Sequence, residues 1–175
     1  MDMPLCSLLE STAETLQDLV LAADERYWEG YELAVQGHSY AGIYSCGYAA
    51  EMLLKVASFR FDGALPGEPI GPRLIPAKKF GGVRLPAVPY EAAHSVRFWA
   101  TYLETKRADA GRPFAPPLQA MLTSTVDRIH SRWWVSMRYR ASTFMVGHPL
   151  SVHTETLTLL EDVDWLRKNH SSLWS

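Results

Sequence analysis

The sequence predicts an all-α fold, an antiparallel helical bundle of about five helices with one long Pro/Gly-rich loop. Three observations point there. Apolar residues recur in steps of three and four along most of the chain. One segment, His38 to Arg60, is apolar nearly all round. The prolines crowd into a single non-periodic stretch. At 175 residues the chain fits one domain, 1–175, with enough length to bury a core.

The first helix carries Leu16, Leu19, Val20, Ala23, Tyr27, Tyr31 and Ala34 on one face, with acids on the other, and Gly37 supplies its stop. A very short turn then allows an antiparallel helix to follow. That second helix, His38 to Arg60, mixes large apolar residues with Ala41, Gly42, Ser45, Cys46, Gly47, Ala49 and Ala50. Side chains this small let neighbouring backbones approach, which marks it as the central element. Between Phe61 and Pro89 the periodicity stops, and six of the 11 prolines fall here with five glycines. This reads as a 61–89 loop insertion, with a short hairpin pairing the region of Leu74 with Val83 to Leu85. A loop of this length inside a compact domain is usually functional. Further helices are expected from about Tyr90 to Ala110, from Pro116 through the stripe Leu118, Leu122, Val126, Ile129, Trp133 and Met137, and from about Ser151 to Asn169.

Composition narrows the function classes. A formal net charge of −2 argues against a uniformly basic nucleic-acid binder, though not against a local basic patch. The two cysteines form no CxxC pair, and the start of the chain lacks a signal-peptide pattern. No run approaches the roughly 18 apolar residues of a membrane span. The expectation is a soluble, cytoplasmic protein with no membrane contact.

Four groups of residues could carry chemistry. Glu51 and Lys55 are the only charged residues inside the central helix, and their i,i+4 spacing suits an ion pair that is either structural or reaches a ligand. The segment from Arg128 to Thr154 has no acid, and interleaves Arg128, Arg132, Arg138 and Arg140 with aromatic residues and histidines. Guanidinium groups bind phosphate in a fork and stack on bases, so this mixture suits RNA or a nucleotide. Residues 9–32 hold seven acids and one arginine, so that stretch could instead neutralise those arginines across the bundle. Lys78, Lys79, Gly81, Gly82 and Arg84 offer either a phosphate cradle or, more simply, a solvated turn. Glu91-x-x-His94 and Asp127-x-x-His130 have the carboxylate–histidine spacing of di-iron bundles, for which Glu32 and Glu51 could complete a site. Such spacings arise often by chance, so neither metal nor cofactor is assigned. No Ser-His-Asp or Cys-His constellation can be inferred.

The central helix also resembles that of HEPN domains. The match is carried by Gly37-His38-Ser39-Tyr40-Ala41, by Tyr44-Ser45-Cys46-Gly47-Tyr48-Ala49-Ala50-Glu51, and by Leu54-Lys55. Trp134 followed by Arg138-Tyr139 is similar to the region before the last helix of many members. The resemblance implies a helical homodimer that binds nucleotides or RNA. It further implies a possible role as a metal-independent endoribonuclease toxin, or as the partner of a nucleotidyltransferase antitoxin. On that basis Arg132, Arg138, Tyr139, Glu51 and Lys55 are the expected ligand contacts. Arg140 and His148 are the pair that would cleave, with His148 as base. Catalytic members space their Arg and His by four to six residues, whereas Arg138 and Arg140 here precede His148 with nine and seven between. That departure weighs against cleavage and for a binding-only member. The other expectations carried forward are a non-enzymatic protein-interaction module using the acidic first helix with Trp134 and Trp174, and a metal-dependent bundle enzyme.

Overall fold

The computed structural model describes residues 14–88, 94–133 and 149–175, the last segment with side chains from residue 153. Among these the chain is an all-α bundle of six helices: α1 (Leu16–Val35), α2 (Ser39–Phe61), α3 (Gly71–Arg84), α4 (Val96–Asp109), α5 (Pro116–Arg132) and α6 (Pro149–Trp174). The sixth helix is α3, which occupies the expected loop.

α1 begins with a capping box. The Thr15 hydroxyl accepts from the Asp18 amide at 3.2 Å, and the Asp18 carboxylate accepts from the Thr15 amide at 2.9 Å. The next amides, Leu16 and Gln17, donate to the carbonyls of Glu68 and Pro66 at 3.0 and 2.8 Å. The chain between α2 and α3 therefore satisfies first-turn donors that would otherwise lack partners.

α1, α2 and α4 all end in a Schellman motif. Gly37, Gly63 and Gly111 lie at φ of 83°, 82° and 69°. In each case the glycine amide and the one after it bond back into the last turn, as in Gly37 to Ala34 and His38 to Leu33. A side chain at this φ is strained, so glycine is the residue for the position.

α2 lies at the centre, against α1, α4, α5 and α6. Its small residues set the spacing. A Cβ on Gly42 would stand 2.9 Å from the Gly30 carbonyl oxygen, and one on Gly30 would stand 2.4 Å from Cys46 Sγ. The α1 and α2 backbones thus meet along Gly30, Ala34, Gly42 and Cys46. Around this seam the core is filled by Phe59, Trp99, Leu103, Leu122, Ile129, Leu159 and Leu166, all buried.

The hairpin expected near Leu74 does not form. Leu74, Val83 and Arg84 share one helix, α3. Pro72 stands in its first turn, where proline is tolerated, and Pro76 removes one bond of the ladder. What holds the helix is packing on α4: Ala77 and Gly81 are buried, and a Cβ on Gly81 would meet the Phe98 ring at 2.3 Å. Phe80 sits edge-on to Tyr102, with centroids 5.1 Å apart. The glycine pair of the supposed phosphate cradle is therefore inside a helix, and Arg84 bonds Asp109 at 2.9 Å.

α6 is longer than expected at both ends. Its C-terminal turn is secured by Arg107 of α4, which donates to the carbonyls of Leu173 and Ser175, each at 3.0 Å. The guanidinium is buried between the rings of Phe61 and Phe114, at 5.2 and 4.5 Å. Burial lowers its pKa.

Candidate functional site

The centre of α2 carries a buried polar cluster. Glu51 and Lys55 are both buried, 1% and 8% exposed, and form the ion pair their spacing predicts. A third member joins them from the residue just before the α4 N-cap. His94 Nδ1 lies 3.1 Å from one Glu51 oxygen and 3.3 Å from the other. The Lys55 ammonium also stands over the Trp99 ring, 5.7 Å from its centroid. Two charges in a core are tolerated only when paired, and here each has a partner.

Ser95 explains how His94 is placed. Its hydroxyl accepts from the Phe98 amide at 3.1 Å and caps α4, so His94 stands outside the helix beside the face of α2. The ring is then packed edge-on by Tyr48, at 6.0 Å between centroids. Tyr48 in turn meets Tyr44 at 5.0 Å and Trp133 at 5.5 Å. Trp133 lies on Gly47: a Cβ there would be 2.0 Å from the indole Cγ. The indole nitrogen of Trp133 is buried without a hydrogen-bond partner among the described residues.

Tyr44 and Tyr48 line a groove of about 340 Å³ together with Arg26, Ser45 and Met52. The Ser45 hydroxyl donates to Glu29 at 3.2 Å, and Arg26 pairs with the same carboxylate. The groove thus has an aromatic wall, a hydroxyl and an exposed guanidinium. Cys46, packed against Gly30 of α1, does not line it. Its thiol is pushed up to about 12 by burial and stays protonated.

Of the residues expected to bind or cleave, Glu51 and Lys55 are brought together. Arg132 bonds Glu155 of α6 and donates to the Arg128 carbonyl of its own helix at 3.0 Å. Arg138, Tyr139, Arg140 and His148 lie outside the described residues, as does Trp134. Internal charge pairing holds for part of the basic segment, with a different partner from the acidic first helix. Arg128 forks onto Asp162 of α6, with nitrogen–oxygen distances of 2.6 to 3.1 Å, and this bond raises the arginine pKa. The bridge to α1 runs through Arg167 of α6, which bonds Asp24 at 2.9 Å and stacks on Tyr27 and Trp28.

Of the residues in the metal reading, Glu91 lies outside the described residues. His94 is not on a helix, and Asp127 accepts two bonds from Arg97 at 2.7 and 3.0 Å. Among the described residues no group of three His, Cys, Asp or Glu side chains could hold a metal ion. Nor is any of the described helices long and apolar enough to cross a membrane. His94 and Glu51, nominated together only as metal ligands, meet instead as a hydrogen-bonded pair, 43 residues apart in the chain. No family model, curated protein or solved structure matches the chain.

Proposed function

We propose that the protein binds RNA or a nucleotide, with the tyrosine-lined groove on α2 as its site. The groove itself carries this reading. Two neighbouring aromatic rings give a base a stacking surface worth about 1–3 kcal/mol, whatever the base. Arg26 adds a fork for phosphate, and the volume falls in the range of ligand sites, roughly 300–1,000 Å³. The resemblance of the central helix to HEPN domains supports the same reading. It would place the chain in a toxin–antitoxin or defence setting, beside a nucleotidyltransferase-type antitoxin. Arg138 and Tyr139 belong to the proposed contact set. Cleavage through Arg140 and His148 does not, because their spacing departs from the catalytic pattern.

Titration of a fluorescent single-stranded RNA tests it. Tyr44→Ala should weaken binding about tenfold, the equivalent of one lost stack. Arg26→Ala should flatten the dependence of affinity on salt. Unchanged affinity in both variants would refute the groove as the site.

A second reading, a protein-interaction module, is favoured by one observation. Leu21, Trp28, Tyr31 and Val35 are exposed at near-heptad spacing along α1. Such a stripe also suits the homodimer that the resemblance implies. Trp174 does not extend it, since its ring lies under Arg60, 5.6 Å from the guanidinium. Light scattering decides: a dimer that Trp28→Lys converts to monomer assigns the stripe to self-association. A monomer that retains a nuclease-resistant protein partner assigns it to another chain.

A further inference from the structure

We propose that the exposed face of α3 docks on the exposed stripe of α1 in a second copy of the chain, a head-to-tail contact between unlike surfaces. The contact rests on the protein-interaction reading of the α1 stripe and goes beyond it by naming the partner. α3 belongs to the 61–89 insertion, outside the stretch that resembles HEPN domains, so the resemblance does not imply this contact.

The two faces share one pattern with opposite charge. On α1, Leu21, Glu25, Trp28, Glu32 and Val35 are all exposed and follow in steps of four and three, which keeps them in a single stripe. On α3, Ile75, Lys79 and Val83 follow in steps of four, with Lys78 beside them, and all four are exposed. Ile75 and Val83, at 76% and 71%, are the most exposed large hydrophobic residues among those described. At the helical rise they stand about 12 Å apart along the axis, close to the roughly 10.5 Å from Leu21 to Trp28 or from Trp28 to Val35. A charge sits midway in each interval, Lys79 on α3 and Glu25 or Glu32 on α1. The charges in the stripes are also the ones each helix leaves unanswered. Arg73 and Arg84 of α3 pair with Glu68 and Asp109, and Asp24 and Glu29 of α1 pair with Arg167 and Arg26. Glu25, Glu32, Lys78 and Lys79 have no ion pair or hydrogen bond among the described residues.

Trp28 anchors the α1 side. Its ring is held edge-on by Tyr27 and Tyr31, at 5.1 and 5.9 Å, and from a third direction by the Arg167 guanidinium at 5.4 Å, yet 49% of the residue stays exposed. A large aromatic residue already fixed in place loses little freedom on docking. The lysines and glutamates add little affinity as exposed pairs, but they decide which surfaces can meet. Pairing α1 with α1 would set Glu25 and Glu32 against like charges whether the helices ran parallel or antiparallel, because the two flank Trp28 almost evenly. α3 brings cations to the same places.

The test reverses charge on one face at a time in the full chain and follows mass by sedimentation over a concentration series. Glu25→Lys/Glu32→Lys and Lys78→Glu/Lys79→Glu should each weaken self-association about tenfold or more. Mixed together, the two variants should associate again, since the native α3 of the first meets the native α1 of the second and the two reversed faces also match. A chain carrying all four reversals should associate as wild type does, a second route to the same result that needs no mixing. If the mixture and the fourfold variant both stay monomeric, the contact is wrong. If Lys78→Glu/Lys79→Glu associates as wild type while Trp28→Lys does not, α1 pairs with itself: the α3 contact is overturned and the interaction reading stands. If wild type is monomeric throughout, the contact is likewise overturned, and a nuclease-resistant protein partner lost from Trp28→Lys would keep the interaction reading. If Trp28→Lys changes neither self-association nor partner binding, both fail.

Discussion

At the scale of single residues, the buried charges decide most. Glu51 is 1% exposed and serves two partners, so Glu51→Ala would strand Lys55 in the core without a counter-charge. Loss of one member of a buried pair costs about 3–5 kcal/mol. Urea denaturation of Glu51→Ala should show a loss of that size, and a change below 1 kcal/mol would mean that water reaches Lys55. Cys46 gives a prediction in pH. Its pKa rises from 9.0 to about 12 on folding, so the folded state keeps a proton that the unfolded state releases. Its contribution to stability is complete below pH 9 and is lost as pH climbs toward 12, by up to about 1.4 kcal/mol per unit. Tyr27 and Tyr102 shift the same way through burial, so the contrast with Cys46→Ala isolates the thiol. The urea midpoint of Cys46→Ala should fall less between pH 9 and 10.5 than that of wild type. How far the candidate site was legible is also a matter of individual residues. Glu51 and Lys55 declare each other by i,i+4 spacing, which is local information. His94 is brought to them by the docking of α4 on α2, and nothing local encodes that contact.

Helices and their seams come next. The α1–α2 contact is backbone on backbone at Gly30 and Gly42, so alanine there is too large although it is the better helix former. Gly42→Ala gains about 1 kcal/mol of propensity. It must also separate a Cβ from the Gly30 carbonyl 2.9 Å away, and overpacking of that kind costs typically 1–3 kcal/mol. The expected outcome by denaturant titration is net destabilisation. The small residues of α2 were readable as a close-packing signal. α3 is hidden from propensity, because Pro72, Pro76, Gly81 and Gly82 are breakers. Leu74, Ala77, Gly81 and Leu85 nonetheless fall in steps of three and four. Packing of Gly81 beneath Phe98 turns a glycine from a break into a contact, a tertiary effect that propensity does not contain.

For the whole molecule, stability should be graded from the centre outward. α2 is covered by four other helices, whereas α3 packs chiefly on α4. Hydrogen exchange followed by mass spectrometry should find the slowest amides in Leu53–Phe59, exchanging only on global unfolding. Amides of α3 should exchange faster, through local opening. Equal protection in the two helices would mean that the bundle opens as one unit. The all-α class was legible at this scale, since periodicity sums over many residues and survives local errors. The charge network was less so: α6, and not the acidic first helix, answers Arg128 and Arg132. Finally, the carbonyls of Pro66 and Glu68 that close the first turn of α1 lie some fifty residues after it. During synthesis, which proceeds from the N-terminus, the Leu16 and Gln17 amides can find those partners only after residue 68 has left the ribosome. The earliest described helix in the chain is therefore completed late, and its first turn should order only after α2 has been made.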